Sequence, residues 1–139
     1  KGLLYVSKAV LPTMLLSQSG HIINIGSTAG KEVYPKGNVY CASKYAVDAI
    51  NQGMRIDLNG KGIKVGAINP GMVATEFSEV RFKGDTQKAT KIYQGFTPLQ
   101  AKDIAEIIWF TVTRPAHVNI ADLTVMALDQ ASSTIVNKK

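Results

Sequence analysis

The chain is poor in the residues that build disulfides and metal centres, with one cysteine and two histidines among 139 residues. A single cysteine, Cys41, excludes a disulfide within the chain and suits a reducing compartment. No Cys or His pair has the spacing of a zinc motif, so we expect no metal at His21 or His117. We expect Cys41 to be a small residue in the core or at a subunit interface.

Long apolar runs are also missing, and none approaches the roughly 20 residues that span a bilayer. The apolar stretch 3–11 is not typical of a signal peptide, because Lys8 interrupts it and no small-residue cleavage site follows. We therefore expect no membrane partner and a cytoplasmic location.

The net charge of +6 is not concentrated in any basic cluster. Scattered Lys and Arg without interleaved aromatic residues argue against a nucleic-acid partner. A basic surface of this kind suits carboxylate or phosphate ligands, although ordinary solvation explains most of it.

Helical and strand patterns alternate along the chain. The predicted helices are 2–17, 38–59 and 101–113, the predicted strands are 20–26, 62–68 and 121–127, and 72–98 is predicted to be a long loop with short helical pieces. This alternation is typical of an α/β fold in which crossovers join parallel strands. No repeat or linker divides residues 1–139, so we expect them to belong to one domain.

Three residues carry signals for helix ends. Asn38 would cap the start of the second helix, a role that we favour over substrate contact, and Gly60 would close its end. Asp103 would complement the dipole of the third helix.

Tyr40 and Lys44 lie four residues apart in the second helix and therefore on one face. Tyrosine is a poor proton donor or acceptor at neutral pH, because its unperturbed pKa is about 10. A nearby ammonium favours the phenolate, so we expect Lys44 to lower the pKa of Tyr40. Alone, this pattern is more typical of a solvated surface pair than of a catalytic pair. The neighbouring motifs have to distinguish these two interpretations.

Two predicted strands end in small residues near this helix. The first ends in Gly26-Ser27-Thr28-Ala29-Gly30 and the second in Asn69-Pro70-Gly71. Open α/β sheets bind ligands in the crevice at the carboxyl ends of their strands. Ser27 would then face Tyr40 across such a crevice.

Together these motifs resemble the C-terminal part of the short-chain dehydrogenase/reductase family. The resemblance rests on Ile25-Gly26-Ser27-Thr28-Ala29-Gly30, on Tyr40 with Lys44, and on Pro70-Gly71-Met72-Val73-Ala74-Thr75, in the family's order and spacing. It implies a Rossmann-type, doubly wound parallel sheet, with about three strands in this chain. The family's glycine-rich phosphate loop, TGxxxGxG, does not occur in the sequence. The resemblance thus implies a partial domain without the N-terminal phosphate-binding half, and we expect residues 1–139 alone to be inactive and to bind no dinucleotide.

The resemblance also implies residue roles. Tyr40 would be the general acid and base, Lys44 would hold the nicotinamide ribose, and Ser27 would hydrogen-bond the reacting oxygen. The implied cofactor-binding residues are Tyr40, Lys44, Pro70, Gly71, Val73 and Thr75. NADP is the implied cofactor, and NAD stays open because the discriminating positions belong to the absent half.

Substrate class has to come from the irregular stretch 76–85, which with 93–95 and 117–122 is similar to a branch of the family that oxidises 3-hydroxy acids, serine and allo-threonine. Arg81 would grip a carboxylate through its guanidinium while the 3-hydroxyl lies near Tyr40. The alternative is an exposed arginine packed over Phe77 and Phe82. Tyr34 is a second candidate for the substrate pocket.

Three functions remain open. The first is an NADP-dependent dehydrogenase of a small hydroxy or keto acid, such as 3-hydroxypropionate. The second is another short-chain reductase with a non-carboxylate substrate, such as a 3-oxoacyl thioester. The third is a truncated chain without activity, which acts only through subunit contacts.

The family also implies a homo-oligomer, a dimer of dimers, in which the helices at 2–17 and 38–59 pair across an axis. We assign the apolar stretch around Trp109 to the core or to a subunit interface.

Overall fold

Five helices and five strands follow one another in the computed structural model, which describes residues 1–139. The helices are α1 (Gly2–Ser17), α2 (Asn38–Asp57), α3 (Phe77–Arg81), α4 (Thr86–Ile92) and α5 (Ala101–Val112). The strands are β1 (Gly20–Ile25), β2 (Ile63–Pro70), β3 (Val73–Ala74), β4 (Leu99–Gln100) and β5 (Asp122–Val125). No helix combines the length and the apolar character needed to cross a membrane.

The main sheet has three strands in the order β1–β2–β5, and both pairings are parallel. The predicted α/β fold with a parallel sheet is therefore confirmed. β2 runs two residues further than the predicted strand, because Asn69 and Pro70 pair with Thr124 and Val125 of β5. All three carboxyl ends consequently lie at one edge of the sheet.

Helix α2 is attached to the sheet by apolar and polar contacts. The apolar cluster is centred on Leu58, Ile63 and Val65. Further along α2, the side chain of Asn51, which is 1% exposed, is hydrogen-bonded to Asn24 of β1 at 3.0 Å. This buried amide pair fixes how far α2 lies along β1, and therefore where the first turn of α2 stands relative to the strand ends.

Two of the predicted helix ends are wrong. Gly37 precedes α2, while Asn38 is its first residue and accepts a hydrogen bond only from the adjacent Val39 N–H, at 3.1 Å. The helix ends at Asp57 with Leu58 as its C-cap, and Gly60 adopts a φ of +74° in the turn that follows. The third prediction is confirmed, since the Asp103 carboxylate accepts the Gln100 N–H at 2.7 Å at the start of α5.

The core assignment for Trp109 is also wrong, because this side chain is 70% exposed. The inner face of α5 follows Ile104, Ile107 and Thr111, which have the three- and four-residue spacing of one helix face. Trp109 falls outside that spacing and points away from the sheet. An interface role for it stays a prediction.

A covering segment, defined here as residues 75–98, leaves and rejoins the fold at one place. Its two ends continue from β3 and into β4, which pair in parallel as Val73–Leu99 and Ala74–Gln100. The segment contains α3 and α4, as the prediction of short helical pieces required. It lies over the edge where the strands of the main sheet end.

Candidate active site

Tyr40 and Lys44 lie one turn apart at the start of α2, as their spacing predicts. The Lys44 Nζ is 5.9 Å from the centre of the Tyr40 ring. Lys44 also donates a hydrogen bond to the Ile25 carbonyl at the end of β1, at 3.1 Å. Lys44 therefore connects the tyrosine to the sheet edge.

The pKa of Tyr40 is raised above its ordinary value, which contradicts the expectation that Lys44 lowers it. Burial of the phenol is the main cause, while a hydrogen bond with Ser27 and the charge of Arg81 act in the opposite direction. Lys44 does not offset this burial, since its ammonium is directed to the Ile25 carbonyl. Burial also lowers the pKa of Lys44.

Ser27 is held against α2 by a tight turn. Its hydroxyl accepts the Ala29 N–H at 3.1 Å and so caps the short 3-10 helix Thr28–Gly30. A Cβ at Gly30 would lie 2.8 Å from the Lys44 carbonyl oxygen, so this turn packs directly on the helix backbone. The small residues after β1 therefore bring Ser27 to Tyr40.

The loop after β2 is fixed by a residue that the sequence did not reveal. Gln130, which is 4% exposed, accepts the Met72 N–H at 2.8 Å and donates to the Ser132 carbonyl at 3.1 Å. A Cβ at Gly71 would lie 2.2 Å from the Gln130 side-chain oxygen. Glycine at 71 is thus required by close packing, and Gln130 determines where this loop lies.

These elements enclose one cavity of about 580 Å³ at the carboxyl ends of the strands. Such a volume is ordinary for a small-molecule or cofactor site. Every predicted site residue lines it: Ser27, Tyr34, Tyr40, Lys44, Pro70, Gly71, Val73, Thr75 and Arg81. The structure therefore brings together all the residues that the motifs single out.

Arg81, the last residue of α3, also lines this cavity. Its guanidinium lies 5.5 Å from the centre of the Tyr34 ring and 5.9 Å from that of Phe82, and no carboxylate of the chain pairs with it. Phe77, expected beneath Arg81, packs instead against Tyr40 with the ring centres 5.5 Å apart. Arg81 is thus a cation of the cavity without an acidic partner, as is Lys44, whose ammonium is hydrogen-bonded to the Ile25 carbonyl.

Tyr34 owes its position to a glycine. A Cβ at Gly37 would lie 2.3 Å from the edge of the Tyr34 ring, so only glycine leaves room for that ring. The Tyr34 ring in turn supports the Arg81 guanidinium. The loop before α2 therefore shapes the site on the Arg81 side.

Five further lining residues had no role assigned from the sequence: Met72, Ser78, Tyr93, Gln130 and Ser133. Met72, Ser78 and Tyr93 lie in stretches that the motifs and the covering segment include. Gln130 and Ser133 lie after β5, outside all of these stretches. The sequence does contain a signal for Gln130 and Ser133. Polar residues that follow the carboxyl end of a parallel strand lie near the edge of the sheet where ligands bind.

Comparison with known proteins identifies the family. The family model for short chain dehydrogenase matches residues 1–86, which is more than half of the chain. The chain belongs to the short-chain dehydrogenase family. The predicted resemblance is confirmed.

Among curated short-chain dehydrogenases, the chain is 50% identical over 132 residues to the NADP-dependent 3-hydroxy acid dehydrogenase YdfG of Salmonella typhi, covering 94% of this chain and 53% of that protein. It is 47% identical over 134 residues to sulfoacetaldehyde reductase 2 of Chromohalobacter salexigens, covering 96% of this chain and 53% of the relative. The chain thus spans about half the length of these relatives.

A solved structure agrees with the assignment to the short-chain dehydrogenase family. The closed form of serine dehydrogenase complexed with NADP+ is similar to the chain with a TM-score of 0.93 and 47% identity, over 99% of this chain and 56% of that one. The Rossmann-type arrangement that the family implies is thereby confirmed for the part of the fold present here.

Proposed function

We propose that the protein containing this chain is an oxidoreductase that interconverts a small 3-hydroxy acid and its 3-oxo acid with NADP. The observation that carries the proposal is that Ser27, Tyr40 and Lys44 line the same cavity as Arg81, which has no acidic partner. Two relatives named for NADP, a 3-hydroxy acid dehydrogenase and a serine dehydrogenase, support the substrate class and the cofactor.

The residues present fit the nicotinamide end of such a cofactor. Pro70, Gly71 and Val73 line the cavity without a charged side chain, and Lys44 and Thr75 line the same cavity. Lys44 would hold the ribose hydroxyls, and Thr75 would hydrogen-bond the carboxamide or the diphosphate. A nicotinamide bound there would supply or accept the hydride.

In the proposed reaction the proton moves through Tyr40. In reduction its hydroxyl gives a proton to the substrate carbonyl oxygen, and in oxidation its phenolate takes one from the alcohol. A raised pKa keeps Tyr40 protonated at neutral pH in the free site, as the reduction requires. Ser27 donates a hydrogen bond to the same oxygen and stabilises the charge that develops there.

Arg81 is proposed to bind the substrate carboxylate, which gives the first test. Arg81→Met should raise KM for 3-hydroxypropionate or serine about 10- to 100-fold, because a charge-assisted hydrogen bond contributes about 1.5–3 kcal/mol. KM for neutral secondary alcohols should change little. Steady-state kinetics of the natural full-length protein, followed by NADPH absorbance, measure both.

Two control variants sharpen this test. Lys83→Met removes a neighbouring exposed cation from outside the cavity and should leave KM unchanged. Arg81→Lys keeps the charge without the planar fork and should give an intermediate KM. An equal loss on acids and neutral alcohols in Arg81→Met would rule out the carboxylate role.

A second anion deserves a parallel assay, because a sulfoacetaldehyde reductase is 47% identical to the chain. A sulfonate offers the same cavity a single negative group that Arg81 would bind. Reduction of sulfoacetaldehyde in preference to 3-oxo acids would move the proposal to sulfonates. Activity only on a 3-oxoacyl thioester would favour the second function named from the sequence, a reductase with a non-carboxylate substrate. No activity at all would favour the third, a chain that acts only through subunit contacts.

Further predictions concern the protein as a whole. We propose that residues 1–139 are part of one catalytic domain, in a cytoplasmic homo-oligomer organised as a dimer of dimers. The apolar side chains exposed on α1 and α2, among them Leu16 and Ile56, support the oligomer.

A further inference from the structure

The covering segment is fastened to β3 by the hydroxyl of the half-buried Tyr93. The Tyr93 phenol, just after α4, donates a hydrogen bond to the Val73 carbonyl of β3 at 2.9 Å. The Ser78 hydroxyl of α3 lies 2.7 Å from the same phenol oxygen. Because Tyr93 has one proton and the Val73 carbonyl can only accept, Ser78 is the donor in the second bond.

This arrangement joins three pieces of chain that surround the cavity. Ser78 is 4% exposed and lies on the helix that carries Arg81 three residues later, and both Ser78 and Tyr93 line the cavity. Val73 belongs to the wall on the β3 side. The distance between Arg81 and that wall therefore depends on the Tyr93 hydroxyl.

The outer part of the segment has a separate anchor. The Lys138 ammonium donates to the Ile92 carbonyl at the end of α4, at 3.0 Å, and the Lys139 N–H donates to the Gly95 carbonyl at 2.8 Å. The paired strands β3 and β4 hold the base. Loss of the Tyr93 hydroxyl would thus loosen α3 without releasing the whole segment.

We propose that Tyr93 is a positioning residue, which holds α3 against β3 and so places Arg81 at the distance that a short hydroxy acid requires. The proposal rests on the function proposed above. It assigns to Tyr93 no contact with the reacting atoms, and its effect on the reaction passes through Arg81.

Tyr93→Phe in the natural full-length protein tests this role, with two readouts. KM for 3-hydroxypropionate should rise about 5- to 30-fold with kcat nearly unchanged, since the Val73 carbonyl loses its hydrogen bond and α3 is held less firmly. Amide hydrogen exchange, measured by mass spectrometry, should quicken in residues 76–98 and stay constant in β1 and β2. Tyr45→Phe removes the same oxygen from an exposed ring on α2 and should alter neither readout.

Ser78→Ala provides an independent arm, because it removes the partner hydroxyl and leaves the Tyr93–Val73 bond in place. Its KM should rise less than that of Tyr93→Phe, and the double variant should raise KM by less than the product of the two single effects. A product of independent effects would overturn the shared role.

Other outcomes also decide the matter. Faster exchange with an unchanged KM, or exchange that quickens equally in β1 and β2, would overturn the positioning role. If the unaltered protein does not act on hydroxy acids, the proposed function fails by itself. In that case, amide hydrogen exchange in residues 76–98 still tests whether Tyr93 holds the covering segment in place. An exchange rate that is unchanged in Tyr93→Phe would overturn this structural role as well.

Discussion

Tyr40 is half-buried, and this burial raises the pKa of its phenol above the ordinary value, at which tyrosine is already protonated in the neutral range. In the proposed reaction the protonated phenol would serve the reduction of a carbonyl. The proposed oxidation would need the phenolate, so its rate should increase as the pH rises toward the pKa of Tyr40. Ser27 and Arg81 each favour the phenolate and limit the shift.

The contribution of Ser27 can be measured as a shift of the pH profile. In Ser27→Ala the phenolate loses a hydrogen bond, so the pKa of Tyr40 should rise further. The rising limb of kcat/KM for alcohol oxidation should then move to higher pH by about half to one unit, together with a lower plateau. Stopped-flow or steady-state rates across the alkaline range provide the measurement.

Ser43→Ala is the matched control, because the Ser43 hydroxyl donates to the Tyr40 backbone carbonyl at 2.6 Å and not to its phenol. Its profile should coincide with that of the unaltered protein. If Ser27→Ala lowered the plateau of kcat/KM without shifting the profile to higher pH, Ser27 would not be the residue that lowers the pKa of Tyr40.

At the residue scale, the sequence predicted which side chains meet but not how they affect one another. Tyr40 and Lys44 share a helix face by spacing alone, whereas the direction of the Lys44 ammonium depends on the Ile25 carbonyl of another element. Gln130 could not be assigned to the Gly71 loop because they are joined only in three dimensions. Periodicity carries no signal for such contacts.

At the scale of elements, the two helix-to-strand connections contact each other at the amino ends of β1 and β2. Helix α1 ends at Ser17, and its C-cap Gln18, with a left-handed φ of 50°, turns the chain toward β1. Gly62, just before β2, has a φ of +72°, and a Cβ there would lie 2.0 Å from the Gln18 carbonyl oxygen. This close approach fixes how both strands enter the sheet.

Alanine substitutions at Gly60 and Gly62 distinguish the cost of a positive φ from the cost of the close contact with Gln18. Gly60→Ala places a side chain at φ +74° in open space and should lower the free energy of unfolding by about 1–2 kcal/mol. Gly62→Ala adds the collision with Gln18 and should lower it by more than about 3 kcal/mol. Denaturant titration of both variants gives the comparison, and equal losses would mean that the Gln18 contact is easily relaxed.

The element pattern was more predictable than the element ends. The apolar patterns of the sequence predicted the three long helices and the three strands of the main sheet. The predicted end of α2 was wrong, because the prediction relied on Gly60 as a helix C-cap. The helix instead ends before Leu58, whose side chain packs in the core cluster. Tertiary packing here outweighs the local preference.

At the scale of the whole molecule, apolar side chains lie outside the core on two neighbouring helices. Leu16 of α1 is 88% exposed, and Val39 and Ile56 of α2 are 81% and 73% exposed. Contiguous exposed apolar patches mark interaction surfaces, whereas single exposed apolar side chains are ordinary. The proposed oligomer would use this surface.

Ile56→Lys tests the oligomer, because a charge in an apolar contact strongly opposes association. The molar mass from light scattering coupled to size exclusion should fall by at least about half relative to the unaltered protein. Asn59→Lys adds the same charge three residues later, beyond the helix end, and should keep the original mass. An unchanged mass in Ile56→Lys would show that this part of α2 takes no part in assembly.

The pairing of β3 with β4 has a consequence for how such proteins diversify. Because Val73 and Leu99 are neighbours in one ladder, about 5 Å apart, the stretch between them is an insert whose two attachment points never have to move. A replacement of different length and composition could be grafted there while the tyrosine, the lysine and the serine stay in register. Under the proposed function, the preference for one substrate over another can thus be altered by exchanging this segment while the proposed reacting groups are kept.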